Sequence, residues 1–346
     1  MSERIYLEQS DSSESREKEK IITQDDAYRA TRLDLESFMH LYEIEIDKVR
    51  NLDEQREELT REIGADLFNV LSQKLLEMAE LCYKDDYNIY MAFKYFELLG
   101  LKDRIIERIN HGIRNKNGQV CYDLFRATCK YGSEEQIKNA TDTYVKEEGI
   151  YAIEDMPYFR ERFQEITATV NKYSQFYNLP VGFAITSEIF NAAMEIKKRD
   201  YDLAIGVLRS GAPIAVMLEI MGMETKYLEW SRKWKKGPIW RKIGRDRDVE
   251  VEIEKPGKKI IVCEHDTYTG TTLKAIAPLI KKLEPQSIDV CFWIDAHHTN
   301  KEILKNADDY GAGYNAGDFP QEDFFENLQN FLNVIRSKEF AKFVDK

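Results

Sequence analysis

No run of about 18 apolar residues occurs anywhere in the 346-residue sequence, which excludes a helical membrane span. The N-terminus has no apolar segment of the kind a secretory leader carries, so none is expected. Cysteine is scarce, at five residues, and never spaced Cys-x-x-Cys, so neither a zinc ribbon nor a dithiol redox motif is indicated. An odd number of cysteines in apolar settings suits free buried thiols and a cytoplasmic location. A surplus of positive charge is also missing. Lys and Arg number 50 against 62 Asp and Glu, a net charge of −12, which argues against a broad nucleic-acid-binding surface but not a local one. Proline is nearly absent from the first half: between Asp25 and Tyr177 only Pro157 interrupts the chain. What remains is a chain 43% hydrophobic and 32% charged, long enough for two domains and a substantial core.

Residues 1–24 are polar and include SDSSESREKEK, a composition that predicts a disordered tail. Residues 25–170 predict a helical domain. Apolar residues recur three and four apart, as in Leu67, Val70, Leu71, Leu75 and Met78. Tyr90, Phe93, Lys94, Leu99, Gly100 and Ile105 recur 32 positions later as Tyr122, Phe125, Arg126, Tyr131, Gly132 and Ile137. Each copy reads as helix, Gly turn, helix, although stable solenoids usually need at least three repeats. Two readings stand for this domain: a plain helical bundle, or a hairpin module for self-association or a protein partner.

Past Asn178-Leu179-Pro180 the pattern changes. A helix over Ser187–Lys198 precedes the apolar run Asp202–Leu208, then Arg209-Ser210-Gly211-Ala212-Pro213, then a helix through Met221. The arrangement returns at Lys259–Leu273, KIIVCEHDTYTGTTL. The β-branched run Ile260–Cys263 reads as a strand covered on both faces. Tyr268 and the hydroxyl-rich turn Thr269-Gly270-Thr271-Thr272 follow, ahead of a helical pattern. Backbone N–H groups, hydroxyls and a helix dipole make such a turn an anion site. Glu264, at the strand end and expected to be exposed, can accept hydrogen bonds from sugar hydroxyls. Phosphate on one side and a diol acceptor on the other suit a ribose 5-phosphate.

This stretch resembles the phosphoribosyl-diphosphate (PRPP) loop of the type I phosphoribosyltransferases: an apolar strand, two adjacent acids, then Thr-Gly-x-Thr. The strand, Glu264 and Thr269–Thr272 fit; His265 stands in place of the second acid, and Asp266 comes one step late. The resemblance runs from about residue 171 onward, the third domain being 171–346. It implies an α/β fold with a mainly parallel sheet, preceded by the all-α domain. It also implies transfer of ribose 5-phosphate from PRPP to a nucleobase-like nitrogen nucleophile, with Mg²⁺ and release of pyrophosphate. By that resemblance Tyr268 and Thr269–Thr272 hold the 5-phosphate, Glu264 with Asp266 serves the ribose and the cationic sugar, and Arg209, Ser210 and Gly211 bind pyrophosphate. The metal is implied mainly through PRPP.

Between the two loops lies Trp230–Arg247, WSRKWKKGPIWRKIGRDR, with eight basic residues, one acid and three of the four tryptophans. The resembled enzymes carry a mobile loop here, and Arg232, Lys233, Lys235 and Lys236 stand where it would meet the diphosphate. Closure of such a loop excludes water. Interleaved aromatic and basic residues also suit single-stranded nucleic acid, and a basic hairpin over packed tryptophans is the plainer alternative. His265, His297 and His298 fall just past predicted strand ends, without a spacing diagnostic of metal. Asp308–Phe319 reads as a Gly- and Tyr-rich loop and Asp323–Phe343 as a closing amphipathic helix. A rival functional class is a non-catalytic PRPP or nucleotide sensor, which His265 and the extra helical domain favour.

Overall fold

The structure is a computed structural model that describes residues 24–41, 60–61, 64–84, 88–176, 182, 184–208, 211–230, 237–241, 256–264, 270–293, 309–338 and 340. The tail expected over residues 1–24 lies outside them except for Gln24. The chain divides into two compact units, Met1–Ala140 and Thr141–Lys346.

The first unit contains α1 (Gln24–Leu41), α2 (Ala65–Tyr83), α3 (Ile89–Leu98), α4 (Lys102–Ile109) and α5 (Tyr122–Tyr131); α6 (Glu134–Glu148) runs across the division. The buried stripe of α2 is Phe68, Leu71, Leu75, Met78, Ala79 and Cys82. Of the residues expected in that stripe, Leu67 is only half-buried and Val70 is 39% exposed. Phe68 takes the inward position instead, because its larger ring gains more from burial. The repeat is visible as two helix–turn–helix passages along the chain, α3 to α4 and α5 to α6. Phe93 and Phe125 are buried, as are Ile105 and Ile137, while Tyr90 and Tyr122 are equally exposed at 46%. Their turns differ: Gly100 is left-handed at φ 70, whereas Gly132 is not. The expectation of helix alone is also too simple here, since Arg114 and Val120 form an antiparallel bridge that closes a short hairpin after α4.

The second unit is built on a sheet of order β3-β2-β1-β4-β5-β6 among the described residues. The strands are β1 (Leu203–Leu208), β2 (Thr225–Glu229), β3 (Ile239–Arg241), β4 (Lys259–Glu264), β5 (Ser287–Phe292) and β6 (Gly313–Asn315). All neighbours pair in parallel except β2 with β3. The helices are α7 (Pro157–Phe176), α8 (Ser187–Lys198), α9 (Ala212–Ile220), α10 (Thr271–Lys281) and α11 (Phe324–Ile335). β1 is buried at every position because helices cover both faces, the condition for a parallel sheet. Leu203, Ile205 and Val207 share one core with Ile260, Val262, Ile288, Val290 and with Leu273, Ile276 and Ile280 of α10. The opposite face receives α9. Gly206 permits that approach, since a Cβ there would lie 2.7 Å from the Ala215 Cβ and 2.9 Å from the Tyr227 ring.

An aromatic layer ties α7, α8 and α11 together. Phe163 meets Phe190 edge-on at 5.7 Å and stacks with Phe324 at 6.4 Å, and Phe190 meets Phe331 at 5.7 Å. These rings give α7 to the second unit. The segment expected to be loop over Asp308–Phe319 contains β6 and a 3₁₀ turn, Ala316–Asp318. Three residues carry too little periodicity to announce a strand; register with Val290–Phe292 makes it one. The closing helix ends at Ile335, well short of Phe343.

Candidate active site

In this sheet β1 leads to β2 on one side, and the chain later returns to place β4 on the other. The crevice between the carboxyl ends of β1 and β4 is therefore the topological switch point, where open α/β sheets bind ligands. Gly211 and Glu264 meet there, at the turn after β1 and the end of β4, and the Gly270–Thr272 turn is the N-terminus of the helix that follows β4 in the chain.

Gly211 opens α9, and its N–H donates to the Val207 carbonyl at 2.7 Å. A Cβ at this position would fall 1.8 Å from the Cys263 carbonyl oxygen and 2.9 Å from the Glu264 Cα. The turn after β1 is thus pressed against the end of β4, and only glycine fits. Its own N–H is committed within the turn, so its contribution is close approach rather than donation.

Glu264 ends β4 on the same face as Ile260 and Val262. It is 4% exposed, which corrects the expectation of an exposed strand-end carboxylate. The reason is tertiary: β5 continues alongside, with the Trp293 N–H donating to the Glu264 carbonyl at 3.2 Å, and Tyr310 comes close enough to sense the carboxylate. Tyr310 is buried and donates its hydroxyl to the Leu273 carbonyl at 2.6 Å. Burial, then Asp309 and Glu264, push its phenol well above the usual range. Sequence reasoning did not single out Tyr310; its place in a Gly-rich segment hid its packing. Burial holds the neighbouring Cys263 thiol well above its ordinary range, so it is a packing group, and all five cysteines are free.

Gly270 is buried, with φ 66 and ψ 5, and stands at the N-cap of α10. The left-handed backbone is why the family pattern wants glycine here. Having no side chain, it caps nothing, and its carbonyl accepts from Lys274 N–H at 2.9 Å. Thr271 is exposed and Thr272 half-buried in the first turn. The positive ends of α9 and α10 therefore lie at the same sheet edge, beside β1 and β4 respectively.

The basic tryptophan stretch begins at that edge as well. The chain leaves the carboxyl end of β2 at Glu229, and β3 re-enters antiparallel from Ile239. Trp240 is buried in the sheet core and Trp230 packs against it, so these two rings are core, not platforms for nucleic-acid bases. Arg209, Ser210, Arg232, Lys233, Lys235, Lys236, His265, Asp266, Tyr268, Thr269, His297 and His298 lie outside the described residues.

Residues 173–312, less than half of the chain, match the family model of the phosphoribosyl transferase domain. The C-terminal half carries a phosphoribosyl transferase domain. Solved structures similar to the chain include a purine phosphoribosyltransferase from Pyrococcus horikoshii, 25% identical over 31% of this chain and 69% of that one, with TM-score 0.24. An orotate phosphoribosyltransferase from Aeropyrum pernix is 18% identical over 41% and 75%, with TM-score 0.28. A hypoxanthine phosphoribosyltransferase from Staphylococcus aureus is 19% identical over 39% and 80%, with TM-score 0.25. At such TM-scores the assignment rests on the family model. No curated protein sequence matches the chain.

Proposed function

We propose that the phosphoribosyl transferase domain binds PRPP with Mg²⁺ and transfers its ribose 5-phosphate to a nitrogen nucleophile of nucleobase type, releasing pyrophosphate. The observation that supports the reading is the close approach of Gly211 to Glu264 at the switch point, with a left-handed glycine opening the helix that follows β4. Tyr268 and Thr269–Thr272 take the 5-phosphate, which the α10 dipole and the exposed Thr271 hydroxyl favour. Glu264, with Asp266, accepts the ribose hydroxyls and steadies positive charge on the sugar as its bond to pyrophosphate breaks. Arg209 and Ser210 meet the leaving pyrophosphate, while Gly211 lets the turn sit against β4. Arg232, Lys233, Lys235 and Lys236 complete the anion site and keep water from the sugar carbon.

Magnesium takes one or two carboxylates together with substrate phosphates, rather than an all-protein cage. One buried strand-end carboxylate, Glu264, fits such a donor set. Bound there, the metal would neutralise charge on the departing pyrophosphate. The test is calorimetry with PRPP and Mg²⁺. Wild type is expected to bind, and Gly270→Val to bind weakly or not at all, since valine at a left-handed position costs roughly 1–2 kcal/mol and crowds the turn. Unchanged affinity in the folded variant would overturn the assignment.

One sequence observation favours a second reading, a PRPP sensor without turnover: His265 replaces an acid in the family's pattern. Pyrophosphate release with a panel of nucleobases separates the two. Release by wild type supports transfer; binding without release, together with activity in His265→Asp, supports the sensor.

A further inference from the structure

Tyr310 takes no part in the proposed chemistry, yet it joins two of the pieces that do. It precedes β6 and lies in the core with Leu273, Ile276 and Val290, on the face of the sheet that α10 covers. Its hydroxyl donates to the Leu273 carbonyl, in the first turn of α10, at 2.6 Å. Burial first, then Asp309 and Glu264, raise its phenol, so the Glu264 carboxylate lies within electrostatic reach of the ring.

A buried tyrosine hydroxyl takes a hydrogen-bond partner. The partner here is a helix carbonyl that α10, running on to Lys281, already serves. The bond therefore adds a tie between the first turn of α10 and the sheet. That turn is the weaker end of its helix. Pro278 lies inside α10 and has no N–H, so the Lys274 carbonyl loses its helical donor and the first turn is joined to the rest by one bond fewer.

The sheet end of the tie is fixed. Gly311 N–H donates to the Ile288 carbonyl at 2.7 Å, and Val290 N–H to the Ala312 carbonyl at 2.9 Å. The Asp289 carboxylate accepts from Ala312 N–H at 2.8 Å and from the Tyr201 hydroxyl at 2.7 Å. A Cβ on Gly311 would fall 2.7 Å from that carboxylate, so the chain runs flush against β5 directly after Tyr310. β5 in turn pairs with β4 up to Glu264, which stands opposite Phe292.

Resting on the reading of residues 270–272 as part of the 5-phosphate turn, we propose that Tyr310 is a positioning residue for phosphoribosyl binding. Its hydroxyl sets the first turn of α10 against the β4–β5 ladder that carries Glu264, so that the 5-phosphate and the ribose hydroxyls are met together. Pyrophosphate, held at the turn after β1, does not depend on it.

The probes are ribose 5-phosphate and, separately, pyrophosphate with Mg²⁺, titrated by calorimetry into the full chain. Tyr310→Phe keeps the ring and removes the tie, and Leu273 keeps its helical bond, so the variant is expected to fold. It is expected to weaken ribose 5-phosphate by about three- to tenfold, the worth of one hydrogen bond, and to leave pyrophosphate unchanged. Amide hydrogen exchange over residues 274–277 is expected to quicken in the same variant, while exchange in α9 stays as it was. Equal weakening of both probes marks a general loosening of the domain and overturns the proposal. Ribose 5-phosphate that binds wild type and Tyr310→Phe equally overturns the proposal alone. Wild type that does not bind ribose 5-phosphate overturns the 5-phosphate reading and the proposal with it.

Discussion

At the scale of single residues, burial decides what each polar group does. Glu219 sits on α9 against Tyr227, whose hydroxyl donates to it at 2.6 Å. Desolvation raises the Glu219 carboxyl above its ordinary value of 4.5, opposed by hydrogen bonds from Tyr227 and Tyr173. A carboxyl raised on folding favours the native state below its unfolded value, and that contribution is lost as pH rises through the folded one. Glu219→Gln keeps the acceptor and removes the charge. Its melting temperature should exceed wild type at neutral pH, and the difference should fade as pH falls below 4.5. Glu264→Gln should hold or raise the melting temperature, since it removes a buried charge. If Glu264 serves the ribose, pyrophosphate release should fall by about one to two decades, the worth of roughly 1.5–3 kcal/mol in a charge-assisted contact. Gly211→Ala places a methyl group against the Cys263 carbonyl and should destabilise by about 1–3 kcal/mol, as overpacking does. A melting curve unmoved by that change would show that the turn gives way.

At the scale of elements, a strand's neighbours set its role more than its composition does. β3 is only Ile239–Arg241, yet its antiparallel pairing with β2 buries Trp240 and sets Ile239 opposite Glu229 at the carboxyl end of β2. Trypsin cleavage within residues 231–236 should slow when PRPP and Mg²⁺ are added, as mapped by mass spectrometry; equal rates would remove the four basic residues from the pyrophosphate site. The helix α7 shows the same principle. Its sequence is as helical as that of α2, but Phe159 and Phe163 meet Phe324 of α11, and that contact makes it part of the second unit.

At the scale of the whole molecule, each unit has a core of its own, and the division falls at Ala140–Thr141. Calorimetric unfolding should resolve two transitions, and PRPP with Mg²⁺ should raise only the one belonging to the second unit, by mass action on its native state. Among the described residues no helix is long and apolar enough to cross a membrane, in keeping with the absence of long apolar runs.

The sequence by itself determined the helical first half, the two strand–turn–helix passages and the order of Gly211, Glu264 and Gly270 along the chain. These are local properties: a 3.6-residue period, β-branched runs, and a glycine where the backbone turns left-handed at Gly270 or another segment presses close at Gly211. The tertiary structure alone decided that Glu264 is buried, that Tyr310 lies beside it, that Trp230 and Trp240 belong to the core, and that α7 joins the second unit. Each of those depends on pairing between segments far apart in the chain. A residue's exposure is a property of what packs on it, and no local pattern at Glu264 or Gly313–Asn315 encodes the neighbour that covers it.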